Sequence, residues 1–106
     1  MREPTFLILT ALAGGSRHGY GIIQDVAAIS EARVHLLPGT LYTALDRLVA
    51  QGLVAHDRDE QVEGRLRRYY RLTQQGLQAL DVETARLRQL TNAAEARLRT
   101  LRPHTA

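Results

Sequence analysis

The sequence predicts a mainly α fold carrying one small β-hairpin, on three observations. Apolar residues recur at helical spacing in three short segments ahead of Gly52, two β-compatible runs follow, and the rest of the chain carries a heptad-like apolar seam. At 106 residues there is room for one independent core. With 44% hydrophobic and 24% charged residues, enough apolar surface is available to offset chain entropy. Cysteine is absent, which excludes disulfides, thiolate metal sites and a cysteine nucleophile and makes a reducing cytosol the expected setting. The apolar run from Phe6 to Leu9, continuing to Ala13, is too short for a membrane span and lacks the cationic stretch and cleavage pattern of a signal peptide.

Taken in order, Pro4 suits a first helical turn, and Phe6, Leu9 and Ala13, flanked by Leu7, Ile8 and Leu12, make the first segment apolar nearly all round. Such a helix has to be covered on several sides. Gly14-Gly15-Ser16 ends it, and a second helix is predicted from about His18 to Ile29, with Tyr20, Ile23, Val26 and Ala27 at helical spacing. Pro38-Gly39-Thr40 opens a third helix, whose Leu41, Leu45 and Leu48 form one stripe and which Gly52 stops as a C-terminal cap. The period then changes. Leu53–Arg58 and Leu66–Leu72 read as strands joined by the long polar loop Asp59–Arg65, with Arg68, Tyr70 and Leu72 on one face of the second strand and Arg67, Tyr69 and Arg71 on the other. Thr73 caps a last helix running from about Gln74 to Arg102 and ended by Pro103.

The seam of that helix is Leu77, Leu80, Leu87, Ala94, Leu98 and Leu101, with Thr84 and Thr91 in its two weak places. A helix of this length spans about 40 Å, more than the small domain before it, so the seam cannot be buried within one chain. A homodimer is the economical answer, with Phe6, Leu9, Leu80, Leu87, Leu98 and Leu101 at the interface; a lone exposed helix is the alternative. The expected organisation is therefore a winged helix-turn-helix over residues 1–73, a long C-terminal dimerisation helix over 74–102 and a tail over 103–106.

Three helices followed by a hairpin is the order of a winged helix-turn-helix, whose third helix enters the major groove of double-stranded DNA. Off the buried stripe lie Thr40, Tyr42, Thr43, Asp46 and Arg47, hydrogen-bonding side chains of groove-reading type. All 14 basic residues are arginine and the net charge is +3; guanidinium groups fork onto phosphates, although codon bias in a GC-rich genome produces the same composition. Between Gly64 and Leu72 there are four arginines and no acid, which concentrates positive charge where Gly64, Arg65 and Arg67 can meet a DNA backbone or a narrow minor groove. The competing reading pairs these arginines with Asp57, Asp59, Glu60 and Glu63 as a solvated surface network. Thr84 and Thr91 either leave a small, partly polar cavity for an effector or only weaken the seam. Catalysis finds no support: His18, His35, His56 and His104 share no i, i+4 spacing, Ser16 and Ser30 lack nucleophile-elbow glycines, and no Walker or dinucleotide fingerprint is present. No catalytic residue, metal or cofactor is expected.

The combined residues resemble the PadR-type transcriptional regulators, the phenolic acid decarboxylase repressor-like family, in the form with a single C-terminal helix. The resemblance is carried by His18-Gly19-Tyr20, Pro38-Gly39-Thr40-Leu41-Tyr42, Leu45-Asp46-Arg47-Leu48, Gly52-Leu53-Val54 and the stretch Gly64 to Thr73, and it covers about residues 5–76. It implies a dimeric winged-helix repressor that contacts DNA through Thr40, Tyr42, Thr43, Gly64, Arg65 and Arg67, on a pseudo-palindromic operator. It also implies release by a small aromatic or cationic effector near the dimer interface. Gly21 stands where the family commonly has an acid, Thr43 where it often has proline, and the chain has no tryptophan for a drug pocket. The alternative is a winged-helix protein-docking module without sequence-specific DNA binding, since the fold serves both.

Overall fold

The first helix, α1 (Glu3–Ala13), carries proline in its opening turn, where a missing N–H leaves no bond unmade. Leu7, Ile8, Leu9, Ala11 and Leu12 are buried, and at about 100° per residue they cover more than half of the helix circumference. The computed structural model describes residues 1–102; the predicted tail 103–106 and the helix-ending Pro103 lie outside them. Leu9, expected at a subunit interface, has no accessible surface and belongs to the protomer's own core. The apolar girdle of α1 is used up inside the chain because α2, α3, the sheet and α4 all close around it.

After the Gly14-Gly15-Ser16 break, Arg17 and His18 form a two-residue strand, β1. His18 is extended, so α2 runs Gly19–Ile29 rather than starting at His18. Its inward positions are Gly19, Ile22 and Val26. Tyr20, placed on the apolar stripe by spacing, is instead 63% exposed; the helix turns it roughly 200° from Ile22, which takes the core position. α3 (Pro38–Ala50) buries Leu41, Leu45 and Leu48 completely, as the stripe predicts. Gly52 follows at φ 78 and its N–H donates to the Val49 carbonyl, the left-handed stop that glycine provides.

The hairpin is longer and tighter than its sequence suggests. β2 (Val54–Val62) and β3 (Arg65–Leu72) pair antiparallel up to Val62 opposite Arg65, leaving only Glu63 and Gly64 in the turn. Both have positive φ, 52 and 77, the geometry that matches the right-handed twist of a two-residue hairpin. The expected seven-residue loop is thus mostly strand. Its outer part is solvated on both faces, and a polar ladder of that kind leaves no apolar alternation to detect. β1 adds a third strand, Arg17 opposite Tyr70 and His18 opposite Tyr69, in the order β1-β3-β2. Val54 and Tyr70 close the core from the sheet.

α4 (Gln74–Leu101) begins where Thr73 Oγ1 accepts from the Gly76 N–H at 2.9 Å and donates to the Gly52 carbonyl at 2.7 Å. Gly76 and Glu83 are buried, and Leu80 and Leu87 are half-buried; these four form one stripe at helical spacing. From Arg88 to Arg102 every residue is exposed, and the molecule measures 63 × 27 × 20 Å. Among the described residues no helix is long and apolar enough to cross a membrane.

Candidate nucleic-acid interface

The polar side of α3 is divided by the helix rotation. Thr40, Thr43, Ala44 and Arg47 line a cleft against the start of α1 together with Arg2 and Thr5, and Arg47 Nη2 donates to Thr5 Oγ1 at 3.2 Å. Tyr42 lies on the other flank. Its hydroxyl sits against the backbone of Gly19, where a Cβ would collide with it, and the ring remains 44% exposed. The residues grouped by sequence as one groove-facing set therefore occupy two sides of the helix. Asp46 is exposed between them.

On the wing the acids and arginines are sorted by register. Arg58 donates to Asp57 Oδ2 at 3.2 Å, lies 3.6 Å from Glu60 Oε2 and stacks 4.0 Å above the Tyr69 ring. Arg68 Nε donates to Asp59 Oδ1 at 3.3 Å. Ser16 Oγ donates to Asp57 Oδ2 at 2.7 Å and ties the hairpin base to the end of α1. Arg65 and Arg67 are exposed and make no ion pair among the described residues. A Cβ at Gly64 would meet nothing within 4 Å.

The sheet side has its own electrostatics. His18 lies 5.3 Å from the Tyr69 ring; burial lowers its pKa, and the positive field of Arg67 lowers it further while Glu60 opposes the shift. Tyr70 is pushed above its ordinary value, first by burial. Tyr20, at the exposed start of α2, was missed as a surface residue by sequence reasoning. The signal was Gly19 itself, since a buried glycine at the head of the helix hands the inward register to positions 19, 22 and 26.

The other expected site residues are spread along α1 and α4. Phe6 and Leu87 are half-buried and border one cleft with Ile29, Ser30 and Glu83. Leu80 packs against the protomer's core, whereas Leu98 and Leu101 are exposed, as are Val82 and Leu90 off the seam. Thr84 donates to the Leu80 carbonyl at 2.8 Å and borders a shallow cleft with Leu77, Leu80 and Asp81. Thr91 is exposed two turns beyond it. Among the described residues no group of three His, Cys, Asp or Glu side chains could hold a metal ion, and His104 lies outside them.

Known proteins resemble this chain in sequence and in fold. The sequence model of the transcriptional regulator PadR-like family matches residues 8–82. The transcriptional regulator Rv3488 of Mycobacterium tuberculosis is 37% identical over 83 residues, 78% of this chain and 74% of the relative. A PadR family transcription regulator from Clostridium difficile, 26% identical, superposes with a TM-score of 0.76 over 92% of this chain and 99% of that one. Bacillus subtilis PadR in complex with operator DNA is 25% identical, with a TM-score of 0.69 over 79% of this chain and 48% of that one. The span 8–82 runs from the middle of α1 through the first turns of α4, with the wing inside it, and this chain belongs to the PadR-like family of transcriptional regulators rather than to any class of enzyme.

Proposed function

We propose that the chain is a homodimeric DNA-binding repressor of the bacterial cytoplasm, released from its operator by a small aromatic or cationic molecule. Residues 1–73 form the DNA-binding domain and 74–102 the dimerisation helix. Thr40, Tyr42, Thr43 and Arg47 present α3 to the major groove, while Gly64, Arg65 and Arg67 lay the wing tip on the backbone. The observation that carries this reading is the division of labour in the wing: Arg58 and Arg68 take up Asp57, Asp59 and Glu60, leaving Arg65 and Arg67 outside any ion pair among the described residues. The operator complex of a protein with this fold supports the same assignment. Two-fold symmetry would set the half-sites of a pseudo-palindromic operator about 34 Å apart. Thr84 and Thr91 are the candidate effector contacts, on the α4 face that a second copy would cover.

Fluorescence anisotropy on genomic fragments at a series of salt concentrations tests the proposal. Arg65→Ala and Arg67→Ala are each expected to reduce the slope of log affinity against log salt by about one, the value of one lost phosphate contact. An unchanged slope and affinity in the double variant would return both arginines to the solvent. Failure to bind any duplex at low salt would favour the protein-docking alternative.

A further inference from the structure

We infer that the cleft between α1 and α3 binds a small organic anion, with its carboxylate or phosphate group between the guanidinium groups of Arg2 and Arg47 and its apolar body on Leu36 and Ala44. The half-open cleft offers about 440 Å³, within the roughly 300–1,000 Å³ of small-molecule sites. Its lining combines two arginines with the hydroxyls of Thr5, Thr40 and Thr43, and no acidic side chain takes part. Arg2, the residue before α1, makes no side-chain hydrogen bond or ion pair among the described residues. Arg47 spends one donor on Thr5 at 3.2 Å, which leaves its other N–H groups for a ligand. Two arginines lining one cleft that no acidic side chain shares favour an oxyanion, and planar guanidinium forks bind one with two parallel hydrogen bonds.

A free carboxylate and a DNA phosphate ask the same of these arginines. The floor separates them: the half-buried Leu36 and Ala44 offer apolar contact that a backbone phosphate would not use. Thr40, Thr43 and Arg47 also belong to the DNA surface proposed above. On that reading, the ligand and the operator compete for one face of α3.

Calorimetric titration of the full chain with 1-naphthoate, 1-naphthalenemethanol and inorganic phosphate tests the site. Saturable binding of 1-naphthoate is expected, with the neutral alcohol and the Arg2→Gln and Arg47→Gln variants each about tenfold weaker, as for loss of a charge-assisted bidentate contact. Chemical-shift mapping on the unmodified protein needs no variant to fold: shifts centred on the Thr5, Thr40 and Thr43 amides support the assignment, and shifts elsewhere or none overturn it. Phosphate binding as tightly as 1-naphthoate would overturn the organic ligand in favour of a backbone-phosphate seat. Added 1-naphthoate should displace a bound duplex from the protein; binding without displacement overturns the competition. Naphthoate binding at the cleft in a chain that binds no duplex would support the site and sink the DNA-binding reading instead.

Discussion

Tyr42 owes its position to a missing atom: its hydroxyl occupies the space where any residue but glycine at position 19 would carry a Cβ. The ring is 44% exposed yet leans on the head of α2, so it is half packing and half surface. Gly19→Ala is expected to swing the tyrosine outward, weakening DNA binding while costing about 1 kcal/mol of stability, because a side chain rather than backbone has to give. In a Tyr42→Ala background the collision partner is gone and the cost of Gly19→Ala should fall, a coupling readable in a double-mutant cycle by urea denaturation. Strictly additive effects would mean that the two residues do not meet. Glu83 supplies a pH-dependent counterpart. Its buried carboxylate accepts from Arg86 at 2.7 and 2.8 Å, lies 3.7 Å from the Met1 ammonium, and is held below its ordinary 4.5 chiefly by the Arg86 hydrogen bonds. The unfolded chain therefore binds more protons in the window below that value, so the stabilisation is whole above about pH 4.5 and lost as pH falls through the folded pKa. Glu83→Gln should melt lower than the parent at neutral pH, with the gap closing in acid. A gap that stays constant across the titration would mean that the charge is not what stabilises.

Element placement depends on a few backbone devices. The two-residue Glu63-Gly64 turn sets the register of the whole wing, and with it which arginine finds an acid. A slip of one residue would send every side chain of β3 to the opposite face, turning Tyr70 out of the core. At the other junction, Gly76 brings the first turn of α4 against the Leu53 carbonyl, with Leu72 Cδ1 2.9 Å from where a Cβ would stand. Here the neighbour is backbone and cannot rotate away. Gly76→Ala should cost about 1–3 kcal/mol by overpacking, measured as a lower urea midpoint with an unchanged m-value. A neutral substitution would show that the helix docks more loosely than its cap implies.

For the whole molecule the governing fact is length. The folded body consumes α4 only as far as Leu87, and the arm from Arg88 to Arg102 carries Leu90, Leu98 and Leu101 into solvent. Leu98→Glu with Leu101→Glu should leave the protomer within about 0.5 kcal/mol of its stability, as for other surface positions. In a dimer paired through these arms, the same change would bury unpaired charge and cost several kcal/mol. Sedimentation should then report a folded monomer with its helical circular dichroism intact. An undiminished dimer would place the interface on another face.

Local pattern was sufficient for much of this. The Leu41, Leu45 and Leu48 stripe, the Gly52 stop, the Thr73 cap and the long last helix are legible in the sequence because each rests on residues within a few turns of one another. So are the two strands, whose inner ends carry the apolar residues that pack on the core. Tertiary structure decided the rest. β1 is two residues long and exists only because Tyr69 and Tyr70 offer it an edge; a dipeptide has no period to read. Leu9 went to the core because α1 is surrounded within the chain. The pairing of Asp59 with Arg68 and the freedom of Arg65 follow from strand register, while Arg47 turns toward Thr5, 42 positions away. Composition shows how many charges a chain has, but only the folded path determines which of them meet and which remain to meet another molecule.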